Sequence, residues 1–176
     1  MCGLCRRGRS VISRGVSLGP YAGSLRACVV ALKYHGRHKT ADRLALRLFE
    51  KTRCRRLLED ADVVLGVPLH ADRLTERGFN QAGLLAEGLA RLSRTPVSAS
   101  LARVRNTPSQ TDLSARQRRK NVAGAFAVAD PRAILNSVAV LVDDVATTGA
   151  TLRECAHTLL RAGAREVRAI TVARAE

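Results

Sequence analysis

A chain of 176 residues is long enough for one domain with a real hydrophobic core, and no apolar run in it approaches the roughly 20 residues that a membrane-crossing helix needs. Its formal net charge of +15 comes almost wholly from arginine, because only Lys33, Lys39, Lys51 and Lys120 are lysines. That balance favours polyanionic partners, nucleic acid or a multiply phosphorylated small molecule, although a general bias toward arginine would spread the same charge over helix faces without making a site. Residues 1–20 are polar, dotted with glycine and without periodicity, so they read as an extended lead-in. From Tyr21 the pattern turns helical: Leu25, Cys28, Val29 and Leu32 share a face, and the helix ends near Gly36. Ala41, Leu44, Ala45 and Leu48 predict a second helix at the same spacing. Val63–Val67 reads as a short strand stopped by Pro68, with consecutive apolar residues as expected when both faces are covered. A helix follows with Ala82, Leu85, Leu89 and Leu92 in phase, then a weak strand after Pro96. The stretch 105–121 is long and polar for a connector, and "GAFAV" reads as a strand after it. "VAVLV", a helix over Ala150–Arg161 and the closing strand "EVRAITVA" complete the chain. Alternating strands and helices imply a parallel, doubly wound sheet in one α/β domain, without repeats or an interdomain linker.

With no Trp, two Tyr and three Phe, the core is expected to be built from Leu, Val and Ala. The opening "MCGLCRRGRS" lacks the apolar middle of a signal peptide, so a cytoplasmic location is expected. Five cysteines in such a chain argue against a disulfide framework, and Cys28 and Cys155 fall on apolar helix faces.

The stretch that carries chemistry is "VAVLVDDVATTGATL". In an open parallel sheet, ligands bind beyond the carboxyl ends of the strands, where this strand delivers Asp143 and Asp144, both expected to be exposed in a cleft. Paired carboxylates accept hydrogen bonds from the vicinal hydroxyls of a ribose, directly or through Mg²⁺. Gly149 lets backbone approach a ligand closely, and amides at the start of the next helix suit a phosphate. Thr147, Thr148 and Thr151 add hydroxyl donors. Helix capping, worth about 1 kcal/mol per cap, would account for one or two of these residues but not for the whole run.

This run resembles the signature by which type I phosphoribosyltransferases bind phosphoribosyl pyrophosphate (PRPP). "YAGSLRACVVALKYHG", "VPLHADRLTERGFNQA" and "RVRNTPSQTDLSARQRRKNVAGAF" further resemble the ComF/GntX family, phosphoribosyltransferase-like proteins linked to DNA uptake. The resemblance runs from Tyr21 nearly to the end. It implies an open, mainly parallel twisted sheet flanked by helices over 21–176, with 1–20 as the remnant of a zinc-ribbon lead-in. It also implies a PRPP site of Asp143, Asp144, Ala146, Thr147, Thr148, Gly149, Ala150 and Thr151, the two acids on the ribose hydroxyls and the turn around the 5′-phosphate. "VPLHADR" takes the place of the pyrophosphate loop, with Pro68, Leu69, His70 and Arg73 as its candidates; His70 is otherwise a strand-end histidine bonded to backbone. Arg77, Asn80 and Gln81 either line the acceptor side of the cleft or serve the helix start, Asn80 as its cap. The polar segment 105–121 corresponds to a mobile loop closing over the anomeric carbon, where exclusion of water protects an oxocarbenium-like state. There Arg105 and Arg118 would neutralise departing pyrophosphate as catalytic residues beside Asp143 and Asp144, although any single arginine of "RQRRK" reads more readily as part of a solvated charge run. Thr107, Gln110 and Arg118 resemble the corresponding loop of glutamine-dependent amidophosphoribosyltransferases.

The family's zinc ribbon has two Cys-x-x-Cys knuckles, and a structural zinc needs four ligands. Here Cys2 and Cys5 supply one knuckle, and Cys54 lies two helices away, so the chain is not expected to hold zinc tightly. The sequence shows no amidotransferase motif and no stretch that obviously reads a nucleobase, so an ammonia supply from glutamine within the chain is not expected and the acceptor is left open. The expected function is a Mg²⁺-dependent phosphoribosyltransferase whose ligand is PRPP or a nucleotide 5′-phosphate. The alternative is a non-catalytic adaptor of DNA uptake that binds single-stranded DNA or a helicase partner. The sequence leaves a homodimer open and predicts no membrane insertion.

Overall fold

The computed structural model describes residues 10–35, 38–107 and 115–175. In chain order its elements are β1 (Gly15–Pro20), α1 (Gly23–His35), α2 (His38–Glu50), α3 (Thr52–Leu58), β2 (Val63–Gly66), α4 (Ala71–Arg77), α5 (Gln81–Ser93), β3 (Leu101–Arg103), α6 (Ala115–Val122), β4 (Phe126–Val128), β5 (Val138–Ala146), α7 (Ala150–Arg161) and β6 (Glu166–Arg174). A four-stranded sheet runs β1-β6-β5-β2 with every pair parallel, and β3 and β4 form a separate antiparallel pair. The parallel α/β sheet expected from the alternating pattern is therefore present.

Period two along the strands divides the core into two layers. Val64, Val140, Val142, Ile170 and Val172 pack with α1, α2, α3 and α5. Val63, Leu65, Ala139, Leu141, Val167 and Ala169 pack on the opposite face with α7, α6 and the β3–β4 pair. Two close approaches set the first layer. A Cβ on Gly88 would lie 2.7 Å from that of Ala45, and one on Gly66 would meet α5 backbone.

Three expectations are corrected. Residues 15–20, read as part of a lead-in, form β1, which pairs with β6 from Gly15↔Ala169 to Pro20↔Arg174. Helices α3 and α4 were not anticipated. The polar stretch 105–121 is not a bare connector, since α6 occupies its second half. The weak strand after Pro96 resolves into a single parallel bridge, Val64↔Val97, followed by β3. Among the described residues no helix is long and apolar enough to cross a membrane.

At the amino-terminal edge of the sheet, Arg168 is 1% exposed yet fully engaged. It pairs with both carboxylate oxygens of Asp60, reaches Glu166 Oε1 at 2.8 Å, and donates to Leu57 O at 3.0 Å. Those bonds to Arg168 hold the Asp60 and Glu166 carboxyls down at about 2. Both acids stay ionised in the folded chain to that pH, whereas the unfolded chain takes up protons near about 4. The stabilisation is thus complete above the ordinary carboxylate range and is lost as pH falls from there through about 2. Melting temperatures measured from pH 5 to 2 are expected to drop along this limb. Glu166→Gln should flatten it more than Asp60→Asn, because Glu166 is 27% exposed and Asp60 65%, where solvent screens the pair.

Candidate functional site

The carboxyl ends of the strands open onto a hollow of about 400 Å³. The alternation that splits the core also separates the two acids. Asp143 continues the row of Ala139 and Leu141 toward α7, and Asp144 continues that of Val140 and Val142 toward α1. Each accepts from the following amide, Asp143 Oδ1 from Asp144 N and Asp144 Oδ1 from Val145 N, both at 2.8 Å.

Asp143 is half-buried on the hollow. Burial pushes its carboxyl well above the usual range, and the neighbouring Asp144 charge adds to the rise. Asp144 is only 5% exposed, which corrects the expectation that both acids stand open in a cleft. Its Oδ2 lies 3.0 Å from Lys33 Nζ of α1, an ion pair that lacks the alignment of a good hydrogen bond. Burial alone would lower the lysine's pKa, but Asp144 and then Asp143 outweigh it and the net shift is upward.

The turn after β5 borders the hollow. Gly149 has φ +70°, a left-handed conformation that glycine adopts without strain, and it leads directly into α7. Arg153 reaches back to Thr148 O at 2.7 Å, and Thr148 Oγ1 accepts from Ala150 N at 3.4 Å. Ala146, Thr147, Gly149, Ala150 and Thr151 line the hollow, and Thr148 does not.

Beyond β2, Pro68 and Leu69 of the connecting loop and Arg73 of α4 also face the hollow, whereas His70 does not. His70 instead caps α4, its Nδ1 accepting from Asp72 N at 3.3 Å. Asn80 caps α5 through Ala82 N at 3.1 Å and ties down the preceding loop by donating to Val67 O at 3.1 Å. Gln81 is buried against the hollow, and Arg77 donates to its Oε1 at 2.8 Å. Arg105 is turned away to Asn121 O at 3.1 Å and stays exposed outside the hollow. Thr107 is buried and accepts from Arg103. Gln110, the side chain of Arg118, Cys2 and Cys5 lie outside the described residues. Cys54 is in the α1–α3 core, its thiol pushed up to about 12 by burial, which makes it a poor metal ligand.

Three lining residues with polar side-chain groups escaped the sequence reading: Tyr21, Lys33 and Arg103. The signals were present for two. Lys33 sits four residues after Val29 and one after Leu32, both fully buried, so it shares the inward stripe of α1. Arg103 sits two residues after buried Leu101, so it shares that strand face.

As for a metal, no group of three or more His, Cys, Asp or Glu side chains is gathered among the described residues. The carboxylate of Asp143 on the hollow is a hard oxygen donor of the kind Mg²⁺ takes when it shares its shell with ligand phosphates and waters, whereas the oxygens of Asp144 are taken up by Val145 N and Lys33.

The phosphoribosyl transferase domain family matches residues 62–176. The chain belongs to that family. Within it, similarity extends upstream of the matched domain. The chain is 39% identical over 170 residues to the DNA utilization protein YhgH of Escherichia coli O157:H7, covering 94% of this chain and 74% of that protein. It is 32% identical over 179 residues to competence protein F of Haemophilus influenzae, covering 99% and 78%. Among solved structures, glutamine PRPP amidotransferase from B. subtilis, complexed with ADP and GMP, superposes with a TM-score of 0.55 at 22% identity. That match covers 81% of this chain, which spans 30% of the amidotransferase's length. It establishes the type I phosphoribosyltransferase fold. This phosphoribosyl transferase domain thus sits among proteins named for competence and DNA utilization.

Proposed function

We propose that the chain binds PRPP together with Mg²⁺ and transfers the phosphoribosyl group to an acceptor still to be identified. The observation that carries this reading is one hollow joining Asp143 at the end of β5, the left-handed Gly149 and the start of α7. Acids suited to sugar hydroxyls stand next to amides and hydroxyls suited to a phosphate. The raised, half-buried Asp143 is the acid accessible to a sugar, and Asp144 reaches one only after its ion pair with Lys33 rearranges. Pro68, Leu69 and Arg73 lie where the diphosphate arm would extend, and Gln81 lies on the acceptor side. Mg²⁺, when bound with the ligand, would neutralise phosphate charge, and Asp143 would be the carboxylate to hold it. Calorimetric titration with PRPP in excess Mg²⁺ is expected to give saturable one-site binding, and no heat at millimolar ligand would refute the reading.

A second reading, an adaptor in DNA uptake, is favoured by the +15 charge and by the names of the relatives. It would work through backbone phosphates rather than base stacking. Phe49 packs against the core, Phe126 is buried beneath Arg103 and Phe79 is half-buried, so none of the three phenylalanines stands out as an exposed platform for bases.

A further inference from the structure

Helix α1 brings a cation to the place where β5 ends in acids. Lys33 follows the buried Val29 and Leu32 on the inward stripe of α1, and both it and Asp144 line the hollow. Lys33 Nζ lies 3.0 Å from Asp144 Oδ2, with the two side chains 28% and 7% exposed. Asp144 Oδ1 is already occupied by Val145 N at 2.8 Å. Among the described residues Oδ2 is buried and meets no aligned donor, so the lysine serves it as a counter-charge rather than through a directed bond. A buried carboxylate oxygen matched by charge alone is one that another cation would satisfy equally well.

The lysine is also not supplied by the matched domain. It lies upstream of residue 62, where the phosphoribosyl transferase match begins, but inside the similarity to YhgH and competence protein F. Divalent cations such as Mg²⁺ and Mn²⁺ take carboxylate oxygens, and two acids on one hollow would draw one. With the ammonium seated on Oδ2, an incoming cation loses that oxygen and meets a unit positive charge a few ångströms away. Asp143 is then the acid left to it, since Asp143 makes no ion pair among the described residues.

We infer that Lys33 is a positioning residue that fixes Asp144 as an internal salt and so keeps divalent cations off this acid in the free chain. Metal then reaches the hollow together with a phosphorylated ligand, not ahead of it. The inference rests on reading the hollow as a metal-assisted phosphoribosyl site, but its readout is the metal alone.

The test is titration of Mn²⁺ without PRPP, followed by electron paramagnetic resonance, which separates free from bound ion. The chains compared are the unmodified one, Lys33→Gln, Lys33→Arg, and Lys33→Gln combined with Asp144→Asn. Glutamine removes the charge but keeps a donor for Oδ2, and arginine keeps the charge. Lys33→Gln is expected to bind Mn²⁺ at least about tenfold more tightly than the unmodified chain. Lys33→Arg should stay within about twofold of it, and adding Asp144→Asn to Lys33→Gln should abolish the gain. A role in packing alone would lower the melting temperature of Lys33→Gln without raising its metal affinity. Equal Mn²⁺ affinity in the unmodified and Lys33→Gln chains, or a gain that survives Asp144→Asn, refutes the inference. Asp144→Asn alone provides a check that needs no Lys33 variant. It should leave Mn²⁺ affinity within about threefold, because that acid is already taken, and a loss of about tenfold would refute the inference as well. If the Mn²⁺ contrast appears while PRPP gives no heat, the role of Lys33 stands and the phosphoribosyl reading fails. If PRPP binds and the contrast is missing, the reverse holds.

Discussion

Replacing Gly66 with alanine is expected to lower the melting temperature by roughly 6–12 °C, an effect of about 3 kcal/mol in a chain of this size. The added Cβ would fall 2.6 Å from Gly83 N and 2.7 Å from both Ala82 C and Gly83 Cα. All three atoms are backbone in the first turn of α5, so no side chain can rotate aside and the helix must shift. The damage should extend to the site. Asn80 ties α5 to Val67 O, and Gln81 lines the hollow, so displacing this turn moves the β2 loop as well. Gly15→Ala is the matched control, because its Cβ would meet only Ala169 O at an ordinary 3.7 Å. Thermal melts of the two variants decide the point: a loss below about 2 °C for Gly66→Ala would show that β2 and α5 are not locked backbone to backbone.

That contact shows where sequence reading stops. Gly66 sits inside a run already recognised as a strand, and nothing in "VVLGV" tells that a helix lies against it. Periodic segments were legible because their burial is one-sided or complete. Thus α2 buries Ala41, Leu44, Ala45 and Leu48, the four residues its spacing predicts. Short elements were not. In α3, Cys54, Leu57 and Leu58 do follow helical spacing, but seven residues give too little pattern to separate from a loop. Helix α4 buries no residue at all, so an apolar stripe could not have disclosed it. Strand β1 is an edge strand with half-buried residues, and it owes its existence to pairing with β6 at the far end of the chain.

The site divides along the same line. The acids, the glycine turn and the threonines are contiguous, so one strand-to-helix passage displays them. Lys33, Arg73 and Arg103 come from three separate elements and converge only in the fold. Adjacency also misled. Side by side in sequence, Asp143 and Asp144 read as one exposed pair, but the pleat sends them to opposite faces of the sheet and α1 covers the second.

This separation changes what substitution of the two acids should do. Asp143→Asn is expected to reduce PRPP affinity at least about 100-fold with little change in melting temperature, since the carboxyl group facing the ligand is lost while the amide oxygen still accepts from Asp144 N. Asp144→Asn should weaken binding too, but it also leaves the Lys33 ammonium without its partner. Lys33 is 28% exposed and Asp144 7%, so the stability loss should fall near about 1–3 kcal/mol, below that of a fully buried pair. Adding Lys33→Met to Asp144→Asn should recover much of that stability and none of the binding. If the combined variant melts no higher than Asp144→Asn alone, the ion pair is not what holds α1 to the end of β5. The Asp143→Asn, Asp144→Asn double variant also divides the two functional readings. A DNA-binding role through phosphate contacts should survive it or strengthen, with log affinity still falling linearly in log salt, because two negative charges have been removed. Parallel loss of PRPP and DNA binding, in a variant that still melts cooperatively, would instead place both ligands in the hollow between Asp143 and the start of α7.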